Sequence, residues 1–178
     1  CWNEIPMGGK QVTASTDTVT LYHGTGERAA TRIMGEGFQS LDVQVVVREV
    51  AERYGVDPDA LYNHEWFAFP RSRAADTKIY LTEDRGIARA YARARSETLE
   101  DALRTVYRLQ HDEGDWDYRD AVEWAKAQAE TWGRPIILSV EVPRSLLEDR
   151  GFSPGLADTY TFTPEELQGA KISQETLA

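Results

Sequence analysis

The eight residues from Pro135 to Val142, PIILSVEV, constrain the fold most. Ile136, Leu138, Val140 and Val142 alternate with Ile137, Ser139 and Glu141. Successive side chains of a strand point to opposite faces, so this pattern predicts a strand with one buried face. A strand needs partners, and four further runs supply them. Val19 to His23, Lys78 to Thr82, Thr159 to Thr163 and Ala170 to Ile172 are short and rich in β-branched or aromatic residues. Helical spacing fills the ground between: Glu27 to Met34, Leu41 to Tyr54 (whose valines also fit a strand), Ile87 to about Gln110 with a break near Ser96, and Ala121 to Trp132. Strands at both ends and helices in the middle predict an α+β domain.

The punctuation agrees with these elements. Gly24-Thr25-Gly26 interrupts the first strand, and Gly35 and Gly37 end the helix behind it. Glu83-Asp84 supplies acidic residues for a helix start, and Gly133 follows a helix end. Residues 59–77 hold Tyr62, Trp66, Phe67 and Phe69 and read as an irregular loop packed by its own large side chains. Residues 1–18 are polar and aperiodic. They read as a flexible lead-in to one domain over 19–178.

Composition narrows the function classes. At 178 residues and 41% apolar content the chain suits one packed domain. No apolar run approaches the roughly 18–20 residues of a membrane span, and no basic-then-apolar leader opens the chain. A soluble protein is expected, cytoplasmic or delivered as part of a longer polypeptide. The first residue is Cys rather than Met, which reads as a processed end or a piece of a longer chain. Cys1 is also the only cysteine, so no internal disulfide or thiolate-rich metal site is expected. His64 and His111 sit in loop contexts without metal-ligand spacing, and no metal site is predicted. A formal charge of -10 gives no long-range attraction to a phosphate backbone. There is no Gly-x-Gly-x-x-Gly fingerprint and no Gly-x-Ser-x-Gly elbow.

Two constellations carry chemistry. Leu21-Tyr22-His23-Gly24-Thr25 ends a strand and precedes a helix. Ile79-Tyr80-Leu81-Thr82 precedes a helix that carries Tyr91. The first resembles the Tyr-His-Gly-Thr motif of diphtheria-toxin-like ADP-ribosyltransferases. The second resembles the paired tyrosines of that group and of the poly(ADP-ribose) polymerases, in the same order and at matching spacing. The resemblance covers residues 19–172. It implies the ADP-ribosyltransferase fold, with two small packed antiparallel or mixed sheets flanked by helices, and NAD as co-substrate. By the same resemblance Tyr80 and Tyr91 sandwich nicotinamide, and the Gly24 backbone meets its carboxamide. His23 hydrogen-bonds a ribose hydroxyl, and Thr25 supports the histidine.

The implied reaction is release of nicotinamide and transfer of ADP-ribose to an acceptor that is not readable: a protein, a nucleic acid or a small molecule. The chain is shorter than a polymerase module with its regulatory part, so single transfer is expected. Toxin, effector and resistance enzyme are all open as roles. Family members usually carry a glutamate on a late strand, where it stabilises positive charge developing on the ribose. The corresponding segment here, Ala157-Asp158-Thr159-Tyr160-Thr161-Phe162, has none. Asp158 lies nearest that position and is the expected catalytic acid, together with His23 and Tyr91 in the site, and Glu165 and Glu166 are the fallback. Two rival readings share the fold. An RNA 2′-phosphotransferase would use basic side chains such as Arg85, Arg89 and Arg93. A catalytically degenerate module would bind NAD or a partner without turnover.

Overall fold

In the computed structural model, β1 (Thr18–Gly26) and β3 (Pro135–Pro143) pair antiparallel along their whole length, from Thr18 opposite Pro143 to Gly26 opposite Pro135. The model describes residues 17–39, 43–73, 78–112 and 114–177. The alternation in β3 has the expected result. Ile136, Leu138, Val140 and Val142 enter one core with Leu21 of β1, while Ile137 points to the opposite face. β2 (Ile79–Thr82) flanks β1, β4 (Thr159–Phe162) flanks β2, and β5 (Lys171–Thr176) flanks β3. The fold is α+β, and its strands form a single five-stranded sheet in the order β4-β2-β1-β3-β5. Every pairing is antiparallel.

The expectation of two separate sheets is therefore corrected for the described strands. β1 bonds to β3 along one edge and touches β2 on the other at a single register pair, Tyr22 opposite Thr82. That one contact joins a three-stranded half to a two-stranded half. The sheet is continuous, but its seam is thin.

Helices α1 (Glu27–Glu36) and α2 (Val43–Tyr54) follow β1. Gly37, at φ 81°, terminates α1, and its N–H donates to the Ile33 carbonyl at 2.8 Å. The segment expected to be an irregular loop is partly helical. Asp57 caps α3 (Pro58–Tyr62) by accepting from the Ala60 N–H at 3.1 Å. A 3₁₀ turn (Glu65–Phe67) and α4 (Ala68–Ser72) follow, and residues 74–77 lie outside the described set. Elements of about one turn hold too few residues to display a 3.6-residue period, which is why they escape a pattern reading. The aromatic residues divide: Phe67 is fully buried in the helical core, whereas Trp66 packs edge-on against Trp116 and Tyr118.

Asp84 caps α5 (Arg85–Ala94) by accepting from the N–H groups of Gly86 and Ile87. The expected break near Ser96 is present. Arg95 adopts φ 62°, and Ser96 then caps α6 (Glu97–Gln110) by accepting from the Leu99 N–H at 3.0 Å. α7 (Tyr118–Ala129) opens with a reciprocal cap between Asp117 and Asp120. α2, α6 and α7 bury Val47, Val50, Leu103, Val106 and Ala125 in a core of their own beside the sheet core. Among the described residues no helix is long and apolar enough to cross a membrane.

Candidate functional site

The site begins where β1 and β2 part. Past Tyr22 and Thr82 the two backbones no longer pair, and the His23 ring takes the place of a rung. Its Nδ1 lies 3.0 Å from the Tyr80 carbonyl oxygen. A carbonyl can only accept, so Nδ1 carries the hydrogen. Burial pushes the His23 pKa below its ordinary 6.5, and the Tyr80 carbonyl opposes that shift without reversing it. The ring is thus neutral at pH 7. Its Nε2 keeps a lone pair and has no protein partner among the described residues. Phe38 meets the ring edge-on, with centroids 5.2 Å apart and planes at 89°. A single aromatic after Gly37 carries no motif, so Phe38 is not visible from sequence.

The lowered pKa has a checkable consequence. The unfolded chain takes up this proton before the folded one, so acid favours unfolding. The His23 contribution is fully present above about pH 6.5 and is lost as pH falls through the lower folded value. The difference in Tm between wild type and His23→Gln should therefore shrink on acidification from about pH 8 to about pH 5. A difference that grows would mean that the ring is charged in the folded state.

Gly24 is required for a reason the sequence does not reveal. A Cβ built on it would lie 1.8 Å from the Ala88 carbonyl oxygen and 2.6 Å from the Ala92 nitrogen. The bare Cα lets α5 rest directly on β1. The absent side chain makes room for that helix. Tyr91 rides on α5, so this contact sets its position relative to β1. Ala88 and Ala92 are fully buried, and their small side chains permit the same close approach.

A cavity of about 670 Å³ opens at the seam. His23, Gly24, Thr25, Tyr80 and Tyr91 all line it, so the fold brings together every residue expected to hold the dinucleotide. Burial raises the Tyr91 pKa above 10.0, with the Glu97 carboxylate adding to the effect, so the hydroxyl stays protonated. The cavity charge opposes that of the chain. Arg28, Arg32, Arg73, Lys78 and Arg95 face it, against Glu49 and Glu97. In a chain of formal charge -10 this is a local concentration of cations suited to an anionic ligand. Arg28 and Arg32 share α1, but Arg73, Lys78 and Arg95 come from distant parts of the chain, so the sequence does not display the patch. Arg85, Arg89 and Arg93 are not on the cavity wall. Arg85 pairs with Glu175, and Arg89 and Arg93 are exposed.

The expected acids lie less centrally. Asp158 sits at φ 54° in the turn before β4. Its carbonyl accepts from the Glu83 N–H at 2.8 Å and the Thr82 hydroxyl at 3.0 Å, tying β4 to the end of β2. Leu156 and Thr159 line the cavity, while Asp158 itself does not. Its carboxylate makes no hydrogen bond among the described residues. Glu166 is occupied, pairing with Arg150 and accepting from the Thr163 N–H at 3.0 Å. Glu165 is exposed and also off the wall. Among the described residues no group of three or more His, Cys, Asp and Glu side chains could hold a metal ion. Comparison with family models, curated proteins and solved structures finds no match to the chain.

Proposed function

We propose that the chain is a mono-ADP-ribosyltransferase that binds NAD at the β1–β2 seam. The observation that carries this reading is the His23–Tyr80 contact. It supports a neutral ring that presents an acceptor nitrogen to a cavity bordered by two tyrosines. Such an acceptor suits a ribose hydroxyl. Tyr80 and Tyr91 are suited to the flat, electron-poor nicotinamide ring. Arg28, Arg32, Lys78 and Arg95 on the wall are suited to the diphosphate. The thin seam between the halves of the sheet is compatible with the split sheet of the ADP-ribosyltransferase fold.

In the proposed reaction the bond between C1′ of the ribose and the pyridinium nitrogen breaks. Its electron pair leaves with nicotinamide, which becomes neutral. A lone pair of the acceptor forms the new bond to C1′, and the acceptor loses a proton. Positive charge on the ribose in the transition state calls for a nearby carboxylate. Of the three acids considered, Asp158 is the one not exposed or committed to an ion pair, and its neighbours reach the cavity.

Tryptophan fluorescence during NAD titration, followed by assay of released nicotinamide, tests the reading. Saturable binding and steady release are expected. Tyr80→Ala and Tyr91→Ala should each weaken NAD binding by about 3- to 10-fold through loss of stacking. Binding without release would favour a degenerate NAD-binding module, and absence of binding would sink the proposal.

A further inference from the structure

The face of Tyr80 already has an occupant. Arg73 closes α4, its N–H directed at the carbonyls of Phe69 (3.3 Å) and Pro70 (3.1 Å). Its guanidinium carbon lies 5.0 Å from the centroid of Tyr80 and 5.2 Å from that of Phe69. One Nη lies 3.3 Å from a carboxylate oxygen of Glu97, the first residue of α6. The Arg73 and Glu97 charges both reach the Tyr91 hydroxyl, in opposing senses. All five side chains line the same cavity. A planar cation is therefore seated on an aromatic face, with an acid beside it, and that face belongs to one of the two rings proposed above to hold nicotinamide.

The pyridinium ring of NAD is also a planar cation. A π face and a nearby carboxylate suit it for the same reasons that they suit guanidinium. We infer that Phe69, Tyr80 and Glu97 form a planar-cation subsite whose resting occupant is Arg73, and that the nicotinamide end of NAD enters by displacing it. The identity of the incoming ring rests on the NAD reading above. Displacement conserves charge at the subsite, because Glu97 exchanges one cation for another. The Arg73 side chain is 32% exposed, so its hold is that of a partly solvated group. It lowers the apparent affinity for NAD without closing the site, as any occluded resting state does.

The exchange also gives the subsite a direction. Cleavage converts the charged ring into neutral nicotinamide, which loses its attraction to Glu97 and most of its attraction to the ring face. Arg73 is then the better ligand, and its return favours product release. It acts as a built-in competitor and has no part in bond breaking.

Calorimetric titration of wild type, Arg73→Gln and Arg73→Lys with NAD and with 1-methylnicotinamide tests this. The second probe has the charged ring without the dinucleotide. Arg73→Gln should bind both about 3- to 30-fold more tightly than wild type, and be more strongly inhibited by nicotinamide. Arg73→Lys should fall between them, because a hydrated ammonium stacks less well than guanidinium. Circular dichroism establishes that each variant is folded, and Arg73→Lys carries the comparison if Arg73→Gln is not. Equal or weaker binding of both probes by folded Arg73→Gln overturns the inference and leaves NAD binding intact. Tighter 1-methylnicotinamide binding with no NAD binding by any protein keeps the subsite and sinks the NAD reading. No binding of either probe by any of the three proteins overturns both.

Discussion

Alanine at position 24 is expected to lower Tm by about 6–12 °C, from a loss of about 3 kcal/mol and a sensitivity of about 2–4 °C per kcal/mol at this size. The new methyl group would stand 1.8 Å from the Ala88 carbonyl oxygen. That oxygen belongs to the backbone of α5, so no side-chain rotation relieves the clash. The helix must lift, which opens the packing of Ala88, Ala92 and Ile137 against Tyr22. The functional loss should exceed the loss expected from stability alone, because Tyr91 moves with α5 while Tyr80 stays on β2. Gly35→Ala is the control. It lies in α1 with nothing within 4 Å of its added Cβ, and should be neutral or gain up to about 1 kcal/mol. Scanning calorimetry of both variants checks the contrast. A Gly24→Ala protein with unchanged Tm would mean that α5 does not rest on β1 as described.

Asp158→Asn is expected to reduce nicotinamide release by about 100- to 1,000-fold, the usual cost of losing one preorganised electrostatic stabiliser of a transition state. NAD affinity should change by less than about 3-fold, because the acid acts on charge that develops only during bond breaking. Asparagine is the better first substitution. Asp158 has φ 54°, a region that asparagine tolerates and alanine does not, and its carbonyl holds Glu83 and Thr82. Asp158→Ala would add backbone strain at the junction of β2 and β4 and confuse a chemical loss with a structural one. Glu166→Gln provides the opposite signature: weakened pairing with Arg150 and a lower Tm, with turnover per folded molecule retained. Steady-state and single-turnover assays at saturating NAD separate these cases. Normal turnover by folded Asp158→Asn would remove Asp158 as the acid.

The two halves of the site differed in how far sequence could reach them. His23, Gly24, Thr25, Tyr80 and Tyr91 sit within or next to strongly patterned elements, and the family resemblance carried by those short motifs already implied one shared site for them. Asp158, the proposed acid, lies in a turn ahead of a four-residue strand. Turn geometry there depends on a positive φ and on a carbonyl shared between two donors, neither of which has a sequence period. Arg73 and Glu97 were equally hidden. Each is an ordinary charged residue at a helix end, and only the packing of α4 against α6 puts both beside Tyr80.

What the sequence determined by itself is local. Alternation in Pro135 to Val142 specified a strand with a buried face, and helical spacing specified α1, α2, α5, α6 and α7 to within a few residues. Glycine and acidic residues marked their ends, because caps and left-handed turns are satisfied by the nearest few residues. What only the tertiary structure decided is relational. It joined the strands into one sheet instead of two and thinned the β1–β2 seam to one pair. It also turned the bare face of Gly24 toward a helix and seated Arg73 on Tyr80. Periodicity tells a residue which face it occupies. What stands across the gap is set by how separate elements pack, and here that gap is the proposed NAD site.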